Sequence, residues 1–255
     1  MGRYHYEDSL PVTDRWREIW GLRSGYENLA ALERAIQLDG FDNVGDAISV
    51  DDWRRYVLSM AERMKIQSGA SVFEVGCGAG AFLIPLDELG TSIGGIDYSP
   101  SLIDVGRSLL PSARLETSDA IDLDVDEAYD HVFCHSVFQY LETHDVALRV
   151  LSRMTQKARK SVGILDVSDA SLQEQSVSAR RASGSTDYDT RYAGLSHLYI
   201  DRLWFTDAAA EFGYTAEFYD SDLQGHRNSP YRYSVVLVPV SESLQPPNWH
   251  RTGKG

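Results

Sequence analysis

Cysteine is scarce in this sequence: Cys77 and Cys134 are the only two in 255 residues. Two thiols make neither a disulfide framework nor a paired-cysteine zinc pattern, so no metal site is expected and a reducing, cytoplasmic setting is the simpler reading. Long hydrophobic runs are also missing. No apolar stretch approaches the length that crosses a bilayer, and Met1-Gly2-Arg3-Tyr4 opens without the apolar core of a signal peptide, so no membrane association is expected. Basic charge is in short supply, with 24 Lys and Arg against 38 Asp and Glu and a net charge of -14. Nucleic acid and anionic membranes are therefore disfavoured as partners, and no basic run offsets that balance. What the chain does have is 43% hydrophobic residues, enough to bury the core of one substantial α/β domain with elaborations.

Residues 1–65 read as an N-terminal helical cap or lid. Asp14 to Trp20 suggests a short helix, and Leu29, Leu32, Ile36 and Leu38 form a partial helical stripe. After a polar break around Gly40 to Gly45, Asp51 or Asp52 is placed to cap a third helix carrying Trp53, Tyr56, Val57, Met60 and Met64. Residues 66–240 read as the core. Short apolar runs at Ala70–Val75, Ser92–Ile96, Ala113–Glu116, Tyr129–Cys134 and Ser161–Asp166 alternate with helical segments, which favours a mostly parallel sheet with helices on both faces. The polar stretch 168–198 reads as a variable substrate loop. A helix over Asp201–Phe212 and two late strands, Ala216–Tyr219 and Tyr233–Val238, complete the core, and 241–255 reads as an irregular tail.

The sharpest local signal is Glu74-Val75-Gly76-Cys77-Gly78-Ala79-Gly80, set between a predicted strand and a predicted helix. Glycines there allow a tight turn and a close backbone approach to a ligand. Spacing alone also admits a dinucleotide, because Gly76-x-Gly78-x-x-Ala81 fits a relaxed nicotinamide or flavin fingerprint and Asp97 suits a ribose-binding acid. Charge leans the other way: Glu74 would repel a pyrophosphate, whereas S-adenosylmethionine carries a sulfonium and an amino group that an acid complements.

With these residues the sequence resembles the class I S-adenosylmethionine-dependent methyltransferase family, over roughly Gly69 to Val167 and more weakly to Val238. The resemblance implies an α/β, Rossmann-like, mostly parallel seven-stranded sheet with helices on both faces and an antiparallel edge strand. It implies that Glu74, Gly76, Cys77, Gly78 and Gly80 surround the methionine portion of the donor, and that Asp97 accepts hydrogen bonds from the ribose. It further implies Tyr98 near adenine, Asp119 and Ala120 bordering it, and His135 where the chain passes beneath the donor.

For the acceptor, a small molecule is the leading reading, with oxygen slightly ahead of nitrogen because His197 and His135 offer bases. His197, between a polar loop and Leu198-Tyr199-Ile200, is the leading candidate, and Tyr140 is a further catalytic candidate that could also wall a pocket. Asp166 and Asp169 raise the option of a divalent cation, which surface chemistry explains as well. A nicotinamide-dependent oxidoreductase and a non-catalytic methyltransferase-like interaction domain are the alternatives. The oligomeric state is not legible.

Overall fold

The computed structural model describes residues 12–41, 48–182 and 197–240. Within them the chain runs α1 (Val12–Gly21), α2 (Ala31–Leu38), α3 (Val50–Arg63), β1 (Ser71–Val75), α4 (Leu83–Glu88), β2 (Ser92–Asp97), α5 (Pro100–Leu109) and β3 (Arg114–Thr117). It continues through β4 (Tyr129–His135), α6 (His144–Lys157), β5 (Ala158–Ser168), α7 (Gln173–Ala182), α8 (Arg202–Glu211), β6 (Tyr214–Asp220) and β7 (Arg232–Pro239).

The seven strands form one sheet in the order β3-β2-β1-β4-β5-β7-β6. The pairs β2–β3, β1–β2, β1–β4 and β4–β5 are parallel, and β7 runs antiparallel to both β5 and β6. This is the expected Rossmann-like sheet, with the antiparallel strand one place in from the edge. The strand order switches at β1: β2 and β3 are added on one side of it, and the chain then crosses back to place β4 on the other. The carboxyl ends of β1, β2 and β4 therefore bound a crevice, the place where open α/β sheets bind ligands.

Two apolar layers sandwich the sheet. On one face Ile36, Trp53, Val57, Met60, Leu83 and Ile103 bury the inner sides of α2 to α5. On the other Val150, Leu151, Met154, Phe205 and Ala209 do the same for α6 and α8. At roughly 1.5–3 kcal/mol for each large side chain fully withdrawn from water, these layers dominate the stabilisation.

The spacing of Trp53, Tyr56, Val57, Met60 and Met64 gives α3 one inward face, and all five are buried. Its cap corrects the sequence reading. Ser49, in extended backbone, accepts the Asp52 amide at 3.0 Å, while Asp51 and Asp52 belong to the first turn, where their charge complements the helix dipole. In the stretch 168–198, residues 173–182 are helical, and the part at 183–196 lies outside the described residues, as does the expected tail at 241–255.

Candidate functional site

A cavity of about 1260 Å³, its open mouth included, occupies the crevice. Its floor is the turn after β1. Gly76, Gly78 and Gly80 all have positive φ, at 75°, 52° and 91°, so L side chains are strained there. A Cβ on Gly76 would run into Val137, and one on Gly78 into the Asp39 carboxylate. Glycine at these two positions is thus a matter of space as well as of backbone angle.

Carboxylates crowd this floor. Asp97, at the end of β2, accepts the Gly78 amide at 3.0 Å and the Ser99 amide at 2.8 Å. Burial raises its pKa to about 6, against the lowering effect of those two amides. Asp39, just past α2, accepts the Ala79 and Ala81 amides at 2.6 and 2.9 Å; burial is the main cause that lifts it to about 7. Glu74, buried on β1, is raised well above its ordinary value by burial and then by Asp39 and Asp97. Its Oε2 has no hydrogen-bond partner among the described residues. Desolvated acids pushed toward their neutral forms make a site that gains from a cation.

Glu74, Gly76, Cys77, Gly78, Asp97, Tyr98, Asp119, Ala120 and His135 all line the cavity, as does Tyr140. Gly80 lies behind the wall, where its missing side chain lets Leu110 approach. Asp119 accepts the Ile121 amide at 3.0 Å, capping a single turn that presents Ala120. The Tyr98 hydroxyl meets the Trp16 carbonyl at 3.5 Å and so touches α1.

His197 is not among the lining residues. Its Nδ1 accepts from Arg180 at 2.6 Å, and burial followed by Arg180 holds its pKa down near 3. Its ring stands 5.3 Å from Trp16 and 5.4 Å from Tyr140, both of which do line the cavity. It backs the wall rather than forming it.

His135 lies deeper, at the end of β4, in a box of Phe41, Trp53, Tyr56 and Phe82 with ring centroids 5.2–5.6 Å away. Burial pushes its pKa down to about 4, so the imidazole is neutral at pH 7. Its Nε2 has no hydrogen-bond partner among the described residues.

Beyond His135 the sheet supplies a polar end wall. Asp166 on β5 sits in left-handed backbone, φ 59°, where the β5–β7 register shifts between Ile164 and Val167. The bulge re-aims the strand so that Asp166 lines the cavity. Burial would raise its pKa, but Arg232, then His226, His135 and Ser136, outweigh that and hold it near 2. Arg232 donates to the Asp166 carbonyl at 2.9 Å and reaches its carboxylate at 3.5 Å. The Ser136 hydroxyl, also on a residue of positive φ (58°), donates to the same carboxylate.

Sequence reasoning missed several lining residues: Trp16, Trp20, Asp39, Phe41, Trp53 and Arg232. The four-residue spacing of Trp16 and Trp20 on one helix was a usable signal. Nothing local marked Asp39. The Asp166 and Asp169 pair resolves into separate partners: Asp169 accepts from the Ser171 amide and faces Arg202 at 3.3 Å. Among the described residues no cluster of three His, Cys, Asp or Glu is placed to hold a metal ion, and no helix is long and apolar enough to cross a membrane.

Comparison with known proteins bears on this arrangement. Residues 73–159 match a family model described as a methyltransferase domain. The chain is 31% identical over 112 residues to human EEF1A lysine methyltransferase 2, covering 40% of this chain and 47% of that protein. It is 29% identical over 105 residues to trans-aconitate 2-methyltransferase of Methylobacterium nodulans, covering 40% and 41%. The aligned part spans less than half the length of these curated relatives. Among solved structures, magnesium protoporphyrin IX methyltransferase from Synechocystis PCC 6803 with bound SAH superposes with a TM-score of 0.58 at 17% identity. That match covers 89% of this chain and 94% of the other. With the strand order and the three-glycine turn closing β1, residues 73–159 carry the match to a methyltransferase domain, and the chain has the fold of this solved methyltransferase.

Proposed function

We propose that the protein transfers the methyl group of S-adenosylmethionine to a small-molecule acceptor, at an oxygen atom. The carrying observation is a single cavity that joins two unlike halves. One half is the glycine turn with Glu74, Asp39 and Asp97; the other is an aromatic chamber ending at neutral His135 and the Asp166–Arg232 pair.

The residues present fit the donor. The orphaned Glu74 carboxyl oxygen and its acidic neighbours suit a cationic ligand, and the side-chain-free turn leaves room for a chain to lie against it. In this reading Glu74 and the turn hold the methionine portion, Asp97 the ribose, and Tyr98, Asp119 and Ala120 the adenine. When bound, S-adenosylmethionine supplies an electrophilic methyl on a good leaving group. The chain's own task is to orient an acceptor and keep water away. Trp16, Trp20, Tyr140, Phe41 and Trp53 supply apolar walls suited to a flat or apolar acceptor.

His135 is the base of this reading. A neutral imidazole with an uncommitted nitrogen can take the proton of an acceptor hydroxyl, and Asp166 stands ready to favour the resulting imidazolium. The hydroxyl preference rests on that base, since many nitrogen acceptors need none. His197, in turn, keeps Trp16 and Tyr140 in place.

Two of the three compared proteins lend support by the names they carry, trans-aconitate in one case and magnesium protoporphyrin IX in the other, whereas EEF1A lysine methyltransferase 2 is named for a protein lysine. The test is isothermal titration with S-adenosylmethionine. The wild-type protein is expected to bind it, and Asp97→Ala to bind at least about tenfold more weakly while still unfolding cooperatively on heating. Equal affinity of the two proteins would remove the ribose contact, and no binding to wild type would remove the donor.

A further inference from the structure

Backbone amides converging on a glycine turn ordinarily make an anion seat, which is how many α/β folds hold phosphate. In this turn every amide from Gly76 to Ala81 is already engaged. Gly76 and Cys77 donate to the Ile96 carbonyl at 2.7 and 2.9 Å, and Gly80 to the Cys77 carbonyl at 2.9 Å. Gly78 donates to Asp97, and Ala79 and Ala81 donate to the two oxygens of Asp39. Asp97 and the carbonyls belong to the sheet core. Asp39 alone comes from the N-terminal cap, forty residues upstream of the amides it caps.

The delivery of Asp39 is itself built. Arg23 donates to the Gln37 carbonyl at 2.6 Å, tying down the end of α2. Gly40 then turns the chain at φ 96°, in a space where any Cβ would strike Trp20. Gly78 lacks a side chain at the spot the Asp39 carboxylate fills. The sequence thus shows matching adjustments on both sides of one contact.

We propose that Asp39 is a specificity-determining residue of the donor site: by seating a resident carboxylate on the Ala79 and Ala81 amides, it closes the turn to phosphate-bearing nucleotides. The inference rests on the donor reading above and extends it. Any pyrophosphate entering would meet no unengaged amide in the turn and would face Asp39, Glu74 and Asp97 together. A ligand without phosphate and with positive charge meets neither obstacle. Glu74 and Asp97 from the sheet, Cys77 from the turn and Arg23 from the cap are the ionisable groups around Asp39.

The experiment is direct isothermal titration of the full chain at pH 8 with ADP and, separately, with S-adenosylhomocysteine. Wild type is expected to take up S-adenosylhomocysteine and to bind ADP only negligibly. Asp39→Ala, which uncaps both amides and removes a charge, is expected to bind ADP at least about tenfold more tightly than wild type. Asp39→Asn is expected to show a smaller gain, because its amide oxygen still satisfies one N–H. A merely structural Asp39 would yield weaker binding of everything and no gain for ADP. ADP affinity unchanged from wild type in the folded variants, as judged by thermal unfolding, overturns the proposal. If Asp39→Ala does not fold, the near-isosteric Asp39→Asn carries the same comparison. Failure of wild type to bind S-adenosylhomocysteine falls on the donor reading alone, since the ADP titration is read independently.

Discussion

His135 and Asp166 show how environment assigns roles to ordinary side chains. The aromatic box around His135 withholds solvent from a charged ring, which keeps it neutral. His135→Gln is therefore expected to lower methyl transfer by about 10²-fold while leaving S-adenosylmethionine affinity within about twofold, as measured by single-turnover transfer and titration. Asp166 is the opposite case, a buried acid held ionised by Arg232. Its folded pKa is depressed, so its contribution to stability is present above about pH 4 and is lost as the pH falls toward 2. Asp166→Asn leaves the buried Arg232 without its counter-charge. It is expected to cost about 3 kcal/mol at pH 7 by denaturant unfolding, with the gap to wild type narrowing below pH 4. Asp166 was visible in the sequence only as one of two acids after a strand. Its pairing with a residue sixty-six positions later is a product of the antiparallel β5–β7 register.

At the scale of elements, the strands and helices follow from period and punctuation. Alternating apolar runs and glycine turns were readable, and each found its element. The cap of α3 was displaced by two or three residues, because serine and aspartate in Ser49-Val50-Asp51-Asp52 are all competent caps and only backbone geometry chooses among them. Ser49→Ala is expected to destabilise the protein by about 1 kcal/mol in denaturant unfolding, with donor affinity unaltered. The glycine turn is less forgiving. Gly76→Ala adds a methyl at φ 75° into the Val137 side chain, so titration is expected to show donor binding weakened by at least about a hundredfold even where the fold survives.

For the whole molecule, a few of the chain's 38 acidic residues lie where their charge has chemical consequence, on the cavity floor. Asp39 and Asp97 titrate near 7 and 6, and Glu74 higher than an ordinary carboxylate. A cation in the cavity favours their ionised forms, so binding S-adenosylmethionine must release protons and must strengthen as the pH rises through that range. His135 and His197, at about 4 and 3, stay neutral above pH 5.5 and do not contribute. The rise in melting temperature on adding the donor is accordingly expected to be several degrees larger at pH 8 than at pH 5.5, and the difference is expected to shrink in Asp39→Asn. The sequence by itself determined the sheet, the glycine turn and the strand-end acid Asp97, because those depend on periodicity and on local backbone needs that a few adjacent residues express. Only the tertiary structure decided which distant side chains share the cavity: Asp39 capping the turn from the N-terminal helices, Arg232 pairing with Asp166, and His135 rather than His197 on its lining. Those contacts span tens of residues and depend on where the sheet reverses and how the cap packs, for which no short pattern in a single sequence carries a signal.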